Sequence, residues 1–175
     1  MAAVAVGETL LLTPPPAWLR TREEANDNFR LVEYLPAGHT EADWEERLTV
    51  ESNALQPLPD PIEFLSELGA NDERNCTFAK SQNVYAGFEN GYPSAVQLYT
   101  CREDRETGRG RVQLIKAIAG REHFYVIERT RRSAPLATDA APLSNQDMAA
   151  WSLYFRSVKL CDSEAADHPC PAASS

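Results

Sequence analysis

Arginine supplies most of the groups in this chain that could bind or react. Only Lys80, Lys116 and Lys159 are lysines among 17 basic residues, so nearly every positive charge is a planar fork suited to carboxylate or phosphate. Between Arg102 and Arg132 nine basic residues stand against five acidic ones, a balance of +4. Residues 1–60 carry four basic and eleven acidic side chains, a balance of −7. If the segment Ala119-Gly120-Arg121-Glu122 closes a hairpin, Arg111 faces the neighbourhood of Thr130. Arg109, Arg111, Arg129, Arg131 and Arg132 then converge at one sheet end, and Arg102 arrives there through the preceding hairpin. Such a cluster is either a surface for an acidic protein or other anionic ligand, or a set of solvated ion pairs with Glu103, Asp104, Glu106, Glu128 and the acidic N-terminal half.

Other chemistry is sparser. The chain contains no phosphate-cradling glycine loop, no HExxH and no nucleophile elbow. His39, His123 and His168 sit in or beside turns. His123, Cys101 and Arg129 are the side chains an enzyme reading would use, with His123 as acid–base group and Arg102 able to lower the pKa of Cys101. Cys161, His168 and Cys170 offer three potential zinc ligands where a structural site takes four, so the residues imply no metal and no cofactor. A second recognition candidate is the glycine-rich turn Tyr85–Pro93, where Phe88 and Tyr92 either form an aromatic tip or pack across the turn.

The four cysteines suggest two bridges. Cys161 ends a helical pattern and Cys170 lies in a short tail that has little core of its own to hold it. For Cys76 and Cys101 a tight turn at Asn90-Gly91 would set Cys101 opposite Lys80, leaving Cys76 about 13 Å farther along an extended strand. A bridge needs Cα atoms within about 7 Å, so residues 76–80 must curl back or the turn must be wider. Bridged cysteines imply a periplasmic or secreted protein, and four free thiols a cytoplasmic one. The opening MAAVAVGETLLLTPPP has no basic residue before Arg20 and does not read as an export leader. No apolar run reaches the roughly 18 residues needed to cross a bilayer. The net charge of −9 argues against whole-surface binding of nucleic acid or anionic membrane.

These residues require a scaffold, and 175 residues with 43% hydrophobic content suffice for one domain with its own core. The runs Val112–Ile118 and Phe124–Arg129, rich in β-branched and aromatic residues and apolar on both faces, read as central strands. Phe29–Leu35, Trp44–Glu51, Phe78–Phe88 and Ala95–Cys101 read as further strands, Glu46 interrupting the apolar face of the second. Trp18–Asn28 reads as a polar helical segment. Asp60-Pro61 opens a helix whose stripe is Ile62, Phe64, Leu65 and Leu68 and whose C-cap is Gly69. Ser144 opens another, with Met148, Trp151, Phe155 and Val158 on one face. The expected fold is α+β: an extended arm over 1–16, one domain over 17–161, and a tail over 162–175. The domain is a twisted, mostly antiparallel sheet of five or six strands packed by helices near 60–69 and 144–160. Its leading functional reading is a non-enzymatic binding module of an exported bacterial-type protein.

Overall fold

The computed structural model describes residues 7–137 and 141–172. The first six residues of the expected arm, residues 138–140 of the linker and the last three of the tail lie outside them. The remainder is an α+β domain with strands β1 (Glu8–Leu11), β2 (Trp18–Ala25), β3 (Phe29–Pro36), β4 (Glu46–Asn53), β5 (Ala79–Glu89), β6 (Tyr92–Cys101), β7 (Gly110–Ala119), β8 (Phe124–Ser133) and β9 (Lys159–Asp162), and helices α1 (Pro61–Glu73) and α2 (Asn145–Ser157). Seven strands form one sheet in the order β2-β3-β4-β8-β7-β6-β5, antiparallel throughout, and β1 pairs with β9 in a small second sheet.

The expected central hairpin is β7–β8, buried on both sides. Its loop is Gly120–His123, with the Gly120 amide donating to the His123 carbonyl at 2.9 Å. Ala119 therefore pairs with Phe124, and Arg111 with Arg132 in place of the expected neighbourhood of Thr130. The register moved by two residues, so every side chain kept its face. Leu114, Ile118, Tyr125 and Ile127 meet Trp151 and Phe155 of α2 on one face. Ile115, Ala117, Phe124 and Val126 meet Leu65 of α1 on the other.

Helix α1 opens as its sequence dictates, with the Asp60 carboxylate accepting from the amides of Ile62 and Glu63. It does not stop at Gly69 but runs to Glu73. Gly69 is an interior position where the helix lies so close to the sheet that a β-carbon would come within 2.8 Å of Ser81 Oγ. Ile62 faces solvent, while Leu65 is buried and Phe64 meets Phe124 edge-on at 4.8 Å. Helix α2 opens at Ser144, whose hydroxyl accepts from the Asp147 amide, but ends at Ser157 because residues 159–162 leave to pair with β1.

Three edge elements escaped the sequence pattern. Residues 18–25 form a strand, β2, where a helical segment was expected. Its pairing with β3 and the ion pairs Arg20–Glu23 and Arg30–Glu23, at 2.6 and 2.9 Å, outweigh a composition without clear alternation. The arm carries β1, and the end of the last helical pattern is β9. The tail beyond β9 is clipped by the Cys161–Cys170 disulfide and folds onto the β5–β6 turn. There the Asn90 amide donates to the Leu160 carbonyl at 2.9 Å, and Gly91, at φ +80°, leaves room for His168.

Cys76 and Cys101 are also bridged, with Cα atoms 5.7 Å apart. A bulge between Asn83 and Tyr85 shifts the strand so that Ala79, not Lys80, faces Cys101. Cys76 then bends back to bridge Asp104. Titrating the denatured, unreduced protein should find no free thiol, and opening the 25-residue Cys76–Cys101 separation should cost about 3.5 kcal/mol if loop entropy dominates.

Lys116 is 0% exposed and sits on the α2 side of β7. It donates to the carbonyls of Phe155 and Val158 at 2.9 and 2.8 Å and pairs with Glu89. Carbonyls at the end of α2 that lack intrahelical partners are thus satisfied by a cation where the helix dipole favours one. Lys116→Met should lose roughly 3 kcal/mol in urea unfolding, because it strands those carbonyls and Glu89. A loss under about 1 kcal/mol would contradict the capping role.

Candidate functional site

The alternation of β8 divides the expected arginine cluster between two faces. Arg129 and Arg131 point toward α2. Arg129 meets Glu46 at 2.8 Å and lies over the rings of Trp18 and Trp151, at 5.2 and 4.7 Å. Arg131 joins Glu46 at 2.6 Å to Asp147 at 2.8 Å. Glu46, the residue that interrupts the apolar face of β4, is thus the shared acceptor of two guanidinium groups. Glu46 belongs to the acidic N-terminal half named by the ion-pair reading, but these pairs are part-buried instead of solvated, and Asp147 lies outside that half. Arg102 is also engaged elsewhere, donating to the Leu136 carbonyl at 2.8 Å.

The opposite face gathers a different set. Arg111 and Arg132 are cross-strand partners there, Arg47 comes from β4, and Arg109 from the loop before β7. Together with Trp44, Asp104, Thr107, Gln113, Glu128 and Thr130 they line a cavity of about 180 Å³. Arg132 stacks on Trp44 at 3.6 Å and donates twice to the Trp44 carbonyl, at 3.1 and 2.6 Å. Arg47 covers the same ring at 4.4 Å and pairs with Glu33 at 3.1 Å. Arg111 pairs with Asp72 of α1 at 3.0 Å. Among the described residues, Arg109 and Arg132 have no carboxylate within ion-pairing distance.

Each acidic group of this cavity is engaged through one of its oxygens. Asp104 accepts from the amides of Glu106 and Thr107 and from the Thr107 hydroxyl, at 3.1, 2.9 and 3.0 Å, closing its own loop. Glu128 accepts from Gln113 Nε2 at 2.7 Å and from the Thr130 hydroxyl at 2.5 Å. Burial, with Arg109 and Arg47 nearby, pushes the Arg132 pKa down. Four guanidinium groups against two carboxylates leave the lining itself at +2, offset from outside it by Glu33 on Arg47 and Asp72 on Arg111, within a protein whose net charge is −9. Arg109, Arg111 and Arg132 were visible as candidates in the sequence. Arg47 was not, although the alternation through Trp44–Glu51 had set it on the wet face.

The glycine-rich turn splits its two aromatics. Phe88 is 71% exposed, whereas Tyr92 is 2% exposed and covered by the His168 ring at 3.9 Å, so Tyr92 belongs to the packing under the tail. His168 Nδ1 lies 2.8 Å from the Asn90 carbonyl and must donate there.

His123 borders a larger polar cleft of about 620 Å³ between the two sheets, with Glu8, Arg30, Ser52, Arg121, Tyr125 and Asp162. Two of its carboxylates, Glu8 and Asp162, serve the fold. Glu8 accepts from the Arg121 amide and the Tyr125 hydroxyl, and Asp162 pairs with Arg121 at 2.9 Å. The three dispersed catalytic candidates do not meet. Cys101 is buried in its disulfide, and Arg129 stands six residues from His123 along β8, about 20 Å of extended chain.

No protein-family model matches the chain, and no curated protein matches it in sequence. Among solved structures, a Pseudomonas aeruginosa protein of unknown function, PA94, is 14% identical over 95% of this chain and 99% of its own, with a TM-score of 0.48. LpqN, involved in cell envelope biogenesis of Mycobacterium tuberculosis, is 12% identical over 91% of this chain and 86% of its own, with a TM-score of 0.45.

The α2-side ion cluster makes its own pH prediction. Hydrogen bonds from Arg131 and Ser144, with the Arg131 charge, hold the Asp147 carboxyl at about 2, below its ordinary value. A depressed carboxylate stabilises the fold above its unfolded pKa of about 4, and that contribution is lost as pH falls toward 2. Asp147→Asn should therefore flatten the decline of stability between about pH 4 and 2. An unchanged slope in urea titrations across that window would refute the assignment.

Proposed function

We propose that the protein is an extracytoplasmic binding module that takes an anionic group, free or carried by an acidic partner, in the cavity formed by Arg47, Arg109, Arg111 and Arg132. The observation that carries this reading is the pair Arg109 and Arg132. These guanidinium groups face one small cavity without a carboxylate to neutralise either, while the acids beside them are engaged by their own loop and strand. Guanidinium forks hold carboxylate and phosphate oxygens through charge-assisted, often paired, hydrogen bonds. Stacking on Trp44 fixes the Arg132 fork before any ligand arrives.

A volume of about 180 Å³ is below the range of pockets that enclose drug-sized molecules and suits a single charged group with a little water. An extracytoplasmic location is supported by both disulfides, which reducing compartments do not sustain. Among the described residues no helix is long and apolar enough to cross a membrane.

Isothermal titration of the oxidised protein with inorganic phosphate, sulfate and acetate tests the site. At least one should bind, with affinity that falls as salt is raised. Arg109→Ala should weaken that binding by at least about tenfold, the loss of one charge-assisted hydrogen bond. Its melting temperature should be unchanged, because this side chain holds no hydrogen-bond or ion-pair partner among the described residues. Arg129→Ala should do the reverse, lowering stability and leaving binding intact. Failure of all three anions to bind would overturn the reading.

A further inference from the structure

The cavity lining holds donors and also one acceptor left without a partner. Gln113, 5% exposed, is oriented by Glu128: a carboxylate can only accept, so the amide nitrogen is the atom 2.7 Å from it and Oε1 is the other. That Oε1 is buried and finds no donor, and so are Arg47 Nε and Arg111 Nε without acceptors. Buried polar atoms are almost always paired, and these three belong to residues that line one cavity. The set is chemically mixed. Two buried N–H groups and two carboxylate-free guanidinium groups ask for lone pairs, while Gln113 Oε1 asks for a hydrogen. The negative charge of Glu128 beside it disfavours an anion that brings only lone pairs to that wall.

We infer that the ligand is a small oxyanion carrying a hydroxyl next to its charge, with its oxygens on the arginines and its O–H on Gln113. The inference rests on the proposed anion site and adds to it the identity of the recognised group. Two sources share this chemistry: hydrogen phosphate, which keeps a P–OH, and a short α-hydroxycarboxylate. Both are small enough for about 180 Å³. Sulfate and acetate match them in charge type and shape without the hydroxyl. A site built to hydrogen-bond a hydroxyl rejects the analogue that lacks it, because its own polar atom is then left unpaired.

The test is calorimetric titration of the full-length oxidised protein at pH 7 with two pairs of probes, phosphate against sulfate and glycolate against acetate. Preference for the hydroxyl-bearing member by at least about tenfold is expected in one pair or both, and the pair that shows it names the source. Gln113→Leu, with its fold checked by thermal melting, should still bind anions but bring that ratio close to one. If Gln113→Leu does not fold, the wild-type ratios alone decide. Equal affinity within both pairs overturns the hydroxyl inference and leaves the anion site standing. Binding of none of the four overturns both. Discrimination that survives in folded Gln113→Leu also removes the inference, because the recognising acceptor is then another group.

Discussion

The register between β7 and β8 is the constraint on which the rest of the molecule depends. With Ala119 opposite Phe124, each interior position of the hairpin is committed to one helix or the other. Leu114, Ile118 and Ile127 go to α2, and Ile115, Ala117, Phe124 and Val126 to α1. A slip of β8 by one residue would exchange its faces, bringing Arg132 under α2 and Arg129 and Arg131 toward Trp44 while Arg111 stayed with β7. The apolar halves of these strands resist such a shift, since it would move Phe124 and Ile127 off the clusters that bury them. The arginine ends follow. Hydrophobic packing near the loop thus decides, several residues away, which charges meet.

Both faces then carry cations close to the core, but they are neutralised differently. On the α2 side acidic partners come from distant parts of the chain: Glu46 from β4, Asp147 from the first turn of α2, and Glu89 from the β5–β6 turn for Lys116. Each buried or half-buried charge meets an opposite one, the condition under which such groups are tolerated. On the α1 side Glu33 and Asp72 answer Arg47 and Arg111, while Asp104 and Glu128 make no ion pair among the described residues. The two faces therefore differ in how completely their arginines are paired, a difference that a count of charges would not reveal.

Sequence patterns carried most of the fold because its strongest elements are local. Asn90-Gly91 with positive φ at both residues, Asp60 before Pro61, and Ser144 before a helical stripe are each decided within a few residues. The misses are elements that need a distant partner. β1 and β9 are four residues each and pair only with one another, and β2 is an edge strand rich in charge, which protects such an edge from foreign pairing. Gly69 read as a stop because its other use, close approach to a strand, depends on Ser81 across the interface. The site was half legible for the same reason. Arg109, Arg111 and Arg132 lie on either side of one hairpin, whereas Arg47 joins them only through the β4–β8 pairing, across 83 positions from Thr130.

Placing a cationic pocket on an acidic protein has a kinetic and a structural side. Under the proposed anion-binding reading, a net charge of −9 repels anions at distances where individual groups are not resolved, so the cavity would act within roughly a Debye length, about 8 Å at physiological salt. Its attraction depends on holding the guanidinium groups in place before contact. Trp44 does this for Arg132 and Arg47. For Arg109 the restraint is covalent at one remove: the Cys76–Cys101 bridge fixes the strand end, the Thr77 amide donates to the Glu103 carbonyl, the Arg105 amide donates to the Asn75 carbonyl, and Asp104 closes the turn that presents Arg109. The disulfide therefore serves more than stability. It joins the loop bearing the unpaired charge to the core, so the oxidising chemistry that forms the bridge also sets the geometry of the pocket.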